Sequence, residues 1–167
     1  MKIWILILFF LFTSNSLICQ TNKRFQVFSK SDSVIIVSHE ATDGVLIVED
    51  STGKRIKPPQ LLISGKLNES IVKERRKLDS THISKLTRIL ARPFADKTIE
   101  EGKCFIPHHA ILIYKSGKIS YLDICFGCRG FVTSKDLEFI DAFDKKKWQQ
   151  TESFFRSLGI TYEMPVD

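Results

Sequence analysis

Residues 108–128 read HHAILIYKSGKISYLDICFGC, and this stretch decides the fold. Two apolar runs, Ala110 to Tyr114 and Ile119 to Phe126, flank Lys115-Ser116-Gly117-Lys118. Runs of this length, rich in branched and aromatic residues, read as strands, and a short polar turn with glycine joins them as an antiparallel hairpin. With Ser116-Gly117 as the two turn residues, Lys115 faces Lys118, Tyr114 faces Ile119 and Leu112 faces Tyr121. Continued along the ladder, Ala110 faces Asp123 and His108 faces Cys125. Opposed residues share a face of the sheet, so this register sets His108 beside the cysteines and turns His109 to the other side. A slip of one residue exchanges the two histidines.

Upstream, Val34-Ile35-Ile36-Val37 is a β-branched run and reads as a buried strand. His39 to Gly44 then reads as a turn, with Asp43-Gly44 its strongest signal, and Val45 to Val48 as a second strand. Ser51-Thr52-Gly53-Lys54 is another turn, and Pro58-Pro59 closes the unit. Ile71 to Leu78 holds Lys73-Glu74-Arg75-Arg76-Lys77 and reads as an exposed strand or a helical turn. Its charges are those of a solvated surface, which would meet anionic headgroups if the chain were tethered. Asp79 or Ser80 caps a helix whose Ile83, Leu86, Ile89 and Leu90 make one apolar face, and Pro93 closes it. Asp144 caps a second helix running to about Leu158, with Trp148, Thr151, Phe155 and Leu158 on one face and Gly159 at its end. The expected fold class is α+β: an antiparallel sheet with about two packed helices.

The composition agrees with one such domain over residues 20–167. The 167 residues are 43% hydrophobic and 26% charged, the balance of an ordinary folded chain. A chain this long buries a core without metal or disulfide staples. The net charge of +6 is modest and dispersed, with no basic stripe interleaved with aromatics, so nucleic acid is not an expected partner.

Residues 1–19 read as an export signal. Lys2 supplies a positive start, Ile3 to Phe12 is an unbroken apolar run, and Thr13-Ser14-Asn15-Ser16 turns small and polar. The apolar run is shorter than the roughly 17–25 residues of a membrane span. Cleavage after Ser16 and cleavage after Cys19 both fit, and a third option is lipidation of Cys19, against which stands the bulky Ile18 before it. Membrane association is expected only through such a lipid. The expected location is the periplasm or the extracellular space.

The chemistry-bearing constellation is Cys104, His108, His109, Cys125 and Cys128. Cys125-Phe126-Gly127-Cys128 resembles the metal-holding knuckle of zinc ribbons, with glycine allowing a tight turn around the ion. With Cys104 and one histidine it would complete a Cys3His set, which suits tetrahedral zinc; copper is the other candidate ion. The competing reading is a disulfide, with Cys104 paired to Cys125 or Cys128, as oxidising compartments favour. Further readings are unpaired buried thiols and a redox-active pair. The redox reading lacks the helix N-terminus that lowers a thiol pKa.

The remaining candidates read as structural. Asp123 shares a face with His108 and would orient its imidazole, or else stands as an isolated polar residue at a sheet edge. His39-Glu40-Ala41-Thr42-Asp43 begins like a zinc-protease helix but has Asp43 in place of the second histidine, and it reads as a solvated loop. Gly53-Lys54 lacks the first glycine of a phosphate loop, and the chain has no Gly-x-Ser-x-Gly elbow.

The pattern Cys104-x-x-Pro107-x-His109-Ala110-Ile111, then Tyr114, the turn, and Ile124-Cys125-Phe126-x-Cys128, resembles a group of small uncharacterised exported bacterial proteins. It covers about a quarter of the chain. The resemblance implies that the cysteine–histidine segment is the distinctive feature, and it matches His109 rather than His108. It brings no substrate, cofactor or fold.

The functional expectation is therefore an exported domain that binds a partner or maintains the envelope without catalysis, its Cys/His cluster structural. The alternatives are a zinc or copper protein using the same residues, and a hydrolase or thiol enzyme built on them.

Overall fold

The β-branched run at the start of the domain forms an interior strand of the sheet, next to one edge. The computed structural model describes residues 23–42, 48–49, 55–56, 58–95 and 105–166. The export signal, Cys19, Cys104 and the turns at 43–44 and 51–54 lie outside the described residues, as does most of the strand expected at Val45 to Val48.

Residues 23–29 form helix α1, which the sequence pattern did not announce. Strand β1 (Ser33–His39) follows. A small ribbon pairs β2 (Val48–Glu49) with β3 (Arg55–Ile56). A second hairpin pairs β4 (Leu62–Ile63) with β5 (Lys66–Leu67) through Ser64-Gly65, both at positive φ. Strand β6 (Val72–Lys77), helix α2 (Ser80–Leu90), strands β7 (His109–Lys115), β8 (Lys118–Cys125) and β9 (Gly130–Thr133), and helix α3 (Lys145–Ser157) complete the order.

Five strands make one antiparallel sheet in the order β6-β1-β7-β8-β9, so the fold is α+β with helices packed on the sheet. The segment Ile71 to Leu78 is thus an edge strand, not a helical turn. The β7–β8 register runs from Lys115 opposite Lys118 to His109 opposite Ile124, as the two-residue turn predicts. Ser116 and Gly117 both have positive φ (50° and 77°), the turn whose twist matches that of the strands.

The sheet buries both faces. One carries Val34, Ile36, Ile111, Ile113, Leu122 and Ile124 against the helices, with Leu86, Leu90, Trp148, Phe154 and Phe155. The other carries Val37, Ala110 and Leu112 against Leu61 and Leu67 of the β4–β5 hairpin. The strands are therefore apolar on both sides, which is why their sequences read as continuous rather than alternating runs.

Asp144 joins the two long helices. Its Oδ1 accepts the Lys147 amide at 2.7 Å and the Arg92 guanidinium, and its Oδ2 accepts the Ala95 amide at 3.3 Å. Burial opposes its ionisation, but these donors outweigh that and hold the carboxyl below its ordinary range. Lys147 is fully buried, and its ammonium donates to the carbonyls of Leu90 and Ala142, so the start of α3 caps the end of α2. Asp79 caps α2 in the same manner, through the His82 amide, but stands in solvent.

Asp144→Ala removes a cap and leaves Arg92 without its carboxylate. It is expected to lower unfolding stability in urea by about 2 kcal/mol, the upper end for a lost cap. Asp79→Ala is expected to cost clearly less.

Candidate functional site

The last residue of β1 is the key histidine. β1 and β6 pair regularly from Ile35 opposite Lys77 to Ser38 opposite Glu74; the register then skips Lys73 on β6, and His39 stands opposite Val72. His39 lies on the face that carries Val37 and Ala110 by the ordinary alternation of β1, in which residues 37 and 39 project to the same side. In line across the sheet, Val37 faces Ala110 and Ala110 faces Asp123. The Ala110 side chain is only a methyl group, and the His39 ring reaches across β7 to meet Asp123 on β8.

His39 Nε2 lies 3.1 Å from Asp123 Oδ1, and its Nδ1 lies 2.7 Å from the Glu40 carbonyl oxygen. Thr42 donates its hydroxyl to Asp123 Oδ2 at 3.0 Å. His39 is 0% exposed, and Asp123 and Thr42 are each 4% exposed. A carbonyl oxygen only accepts, so Nδ1 carries a proton. A carboxylate oxygen also only accepts, so a further proton lies between Nε2 and Oδ1. The buried pair therefore holds one proton in common, as imidazolium with carboxylate or as imidazole with carboxylic acid.

This arrangement corrects three expectations. His39 is a buried strand end, not part of a solvated loop. Asp123 lies on an interior strand and pairs with His39, not with His108. Thr42 is part of the site. The local cause is that β1 continues two residues past Val37, through polar residues that the apolar pattern does not reach.

Asp123 and Thr42 also line a cleft of about 240 Å³ between the sheet and the β4–β5 hairpin, walled by Gln60, Leu62, Tyr121 and Phe105. The imidazole sits behind the carboxylate, away from this opening. The Thr42 hydroxyl gives its proton to Asp123 and not to His39, so the three groups do not form the nucleophile–base–orienter chain of covalent catalysis.

Of the expected cluster, Cys104 lies outside the described residues. Cys125 and Cys128 are joined to each other by a disulfide, a correction to the pairing of either with Cys104. The Cys128 amide also donates to Cys125 Sγ at 3.2 Å. At Gly130 a Cβ would come within 3.1 Å of the Phe105 ring, a tight contact, whereas at Gly127 a Cβ would meet nothing within 4 Å.

The histidines separate as the two-residue turn predicts. His108 lies on the Asp123 face, with its Nδ1 donating to the His39 carbonyl at 3.2 Å. His109 lies on the helix face, against the rings of Phe126 and Phe155. Its Nε2 donates to the Tyr162 carbonyl at 2.9 Å, while its buried Nδ1 has no partner among the described residues. Burial pulls this imidazole down from 6.5 to about 4. Among the described residues, no three or more His, Cys, Asp or Glu gather in a way that could hold a metal ion.

Glu74 is a second residue hidden from sequence reasoning. It accepts from the Ser38 hydroxyl at 2.7 Å, from the amides of Thr161 and Tyr162, and from the Thr161 hydroxyl. Burial opposes its ionisation, yet these donors hold its carboxyl below the ordinary value. It fastens the C-terminal tail to the sheet edge, the same tail whose Tyr162 carbonyl receives His109.

Set against protein-family models, curated proteins and solved structures, the chain finds no match. Among the described residues no helix is long and apolar enough to cross a membrane.

Two outcomes follow from this geometry. Asp123→Asn keeps a donor for His39 Nε2 and an acceptor for Thr42, so it is expected to retain most of the stability in denaturant unfolding. Asp123→Leu orphans both partners and is expected to cost about 3 kcal/mol or more. Equal losses would show that the pair does not carry the role assigned to it. For His109, the unfolded chain takes up a proton near 6.5 while the folded one waits until about 4. Stability therefore falls as pH drops through that window, by about 3 kcal/mol in full. The difference in stability between wild type and His109→Leu, followed by denaturation from pH 7 to 4, is expected to shrink or invert accordingly.

Proposed function

We propose that the protein is an exported α+β domain that works by binding, in or at the cell envelope, without catalysis of its own, and that its histidine and cysteine groups are structural. The observation that carries this reading is the closure of the buried polar set. His39, Asp123 and Thr42 spend their donors and acceptors on one another and on the Glu40 carbonyl. A buried network tied together in this way fixes a conformation. Export is supported by the charged, apolar and small-residue order of the first sixteen residues and by the Cys125–Cys128 disulfide, a bond of oxidising compartments.

A zinc or copper role for Cys104, a histidine and the reduced Cys125 and Cys128 is the second reading. His108, which the β7–β8 register puts on the same side of the sheet as Cys125, is the feature that favours it.

Intact mass of the protein purified from the cells that make it tests both. A chain beginning at Leu17 or Gln20, gaining about 2 Da on reduction, is the expected result. A full-length chain with free thiols overturns the export reading. A native excess of about 65 Da, lost on denaturation, with no gain on reduction, replaces it by the metal reading.

A further inference from the structure

The packing of α2 against α3 leaves a groove of about 800 Å³ on the side away from the sheet. Enclosed ligand sites of folded proteins commonly occupy roughly 300–1,000 Å³. Lys85, Arg88 and Arg92 line one wall and Lys146 the other, and the lining includes no carboxylate. The overall charge of the chain is dispersed, but here four cations face one space.

Three features mark these cations as a receptor and not as ordinary surface charge. First, Lys85 and Arg88 stand three residues apart on one face of α2, where like charges repel, and Arg92 follows just past the end of that helix. Second, Lys146 lies in the first turn of α3, between Lys145 and Lys147, in a turn that holds no acidic residue. The helix dipole disfavours cations at that end. Third, one Arg92 nitrogen is held by Asp144, while its buried Nε–H has no acceptor among the described residues. Lys85, Arg88 and Lys146 form no ion pair among the described residues. Of the neighbouring carboxylates, Asp79 pairs with His82, Asp144 with Arg92 and Glu152 with Arg156.

We propose that this groove is a binding site for a small soluble polyanion bearing phosphate groups. The guanidinium forks of Arg88 and Arg92 suit phosphate oxygens, and the lysine ammonium groups at either end supply further charge. The apolar floor, Ile89 and Phe154, is 8% and 1% exposed, so it is reached by a molecule that enters the groove and not by a bilayer laid across it. The groove's lining includes none of the cysteines, and the site does not depend on where the chain resides.

Calorimetric titration with inorganic tripolyphosphate at low ionic strength tests it. Binding is expected, weakening as salt rises. Lys85→Gln with Arg88→Gln is expected to weaken it at least tenfold, while Lys73→Gln with Lys77→Gln on the exposed β6 edge leaves it unchanged. Lys146→Glu gives a divided readout: binding falls while the melting temperature holds or rises, because an acid suits the first turn of α3. No binding by the wild type, or equal loss in the two lysine-containing pairs, overturns the proposal. Preference for phosphatidylglycerol vesicles over tripolyphosphate, abolished by Lys85→Gln with Arg88→Gln, overturns it in favour of a membrane surface.

Discussion

A carboxylate buried on an interior strand must be met by donors, and much of one end of this molecule follows from meeting Asp123. It stands in β8, with β7 and β9 on either side, and is 4% exposed. Its partners come from β1, two strands away, and from the loop beyond it. For His39 to arrive, β1 must outrun its apolar segment, and the ring must reach across β7 beside the small Ala110. For Thr42 to arrive, the chain must turn back over the sheet directly after Glu40. One buried acid is thereby met by the end of a strand and by the loop that follows it.

The other face of the same sheet end is closed by different means. Glu74 and His109 both grip the C-terminal tail, one through its carboxylate and one through Nε2. The two groups sit in opposite electrostatic conditions. Glu74 is surrounded by donors that favour its charge, whereas His109 lies among aromatic rings that disfavour a charge. A tail without regular secondary structure is thus held by one ionised and one neutral group; low pH removes the charge of the first and sets a charge among aromatic rings at the second.

The sequence made the local part of this structure legible. The β7–β8 register, the caps at Asp79 and Asp144 and the mixed fold class each rest on neighbours within a few residues. Ser64-Gly65 between Leu62-Ile63 and Lys66-Leu67 carried the same turn signal as Ser116-Gly117 and would have disclosed the β4–β5 hairpin. The site was legible only by half. Asp123 and the sorting of His108 from His109 follow from the hairpin, but His39 does not, because its partner lies 84 residues away. Only the pairing of β1 with β7 unites them, and no local periodicity encodes which strands become neighbours. Glu74 was hidden for a related reason: within a run of lysine and arginine it reads as one more surface charge, and its donors come from the far end of the chain.

The contrast between the two polar regions bears on function more than either does alone. Around Asp123, a buried acid is met by two donors, His39 and Thr42. Between α2 and α3, four cations are gathered about one space, three of them without an ion pair among the described residues, and a helix start opposes Lys146. Stability alone accounts for the first arrangement, since a buried carboxylate without donors would unfold the sheet end. It does not account for the whole of the second, since exchanging Lys146 for an acid would ease the fold. A feature that the fold would be better without is the place where a ligand is the simplest physical cause, and the sign of the unmet charge states what kind of ligand it is.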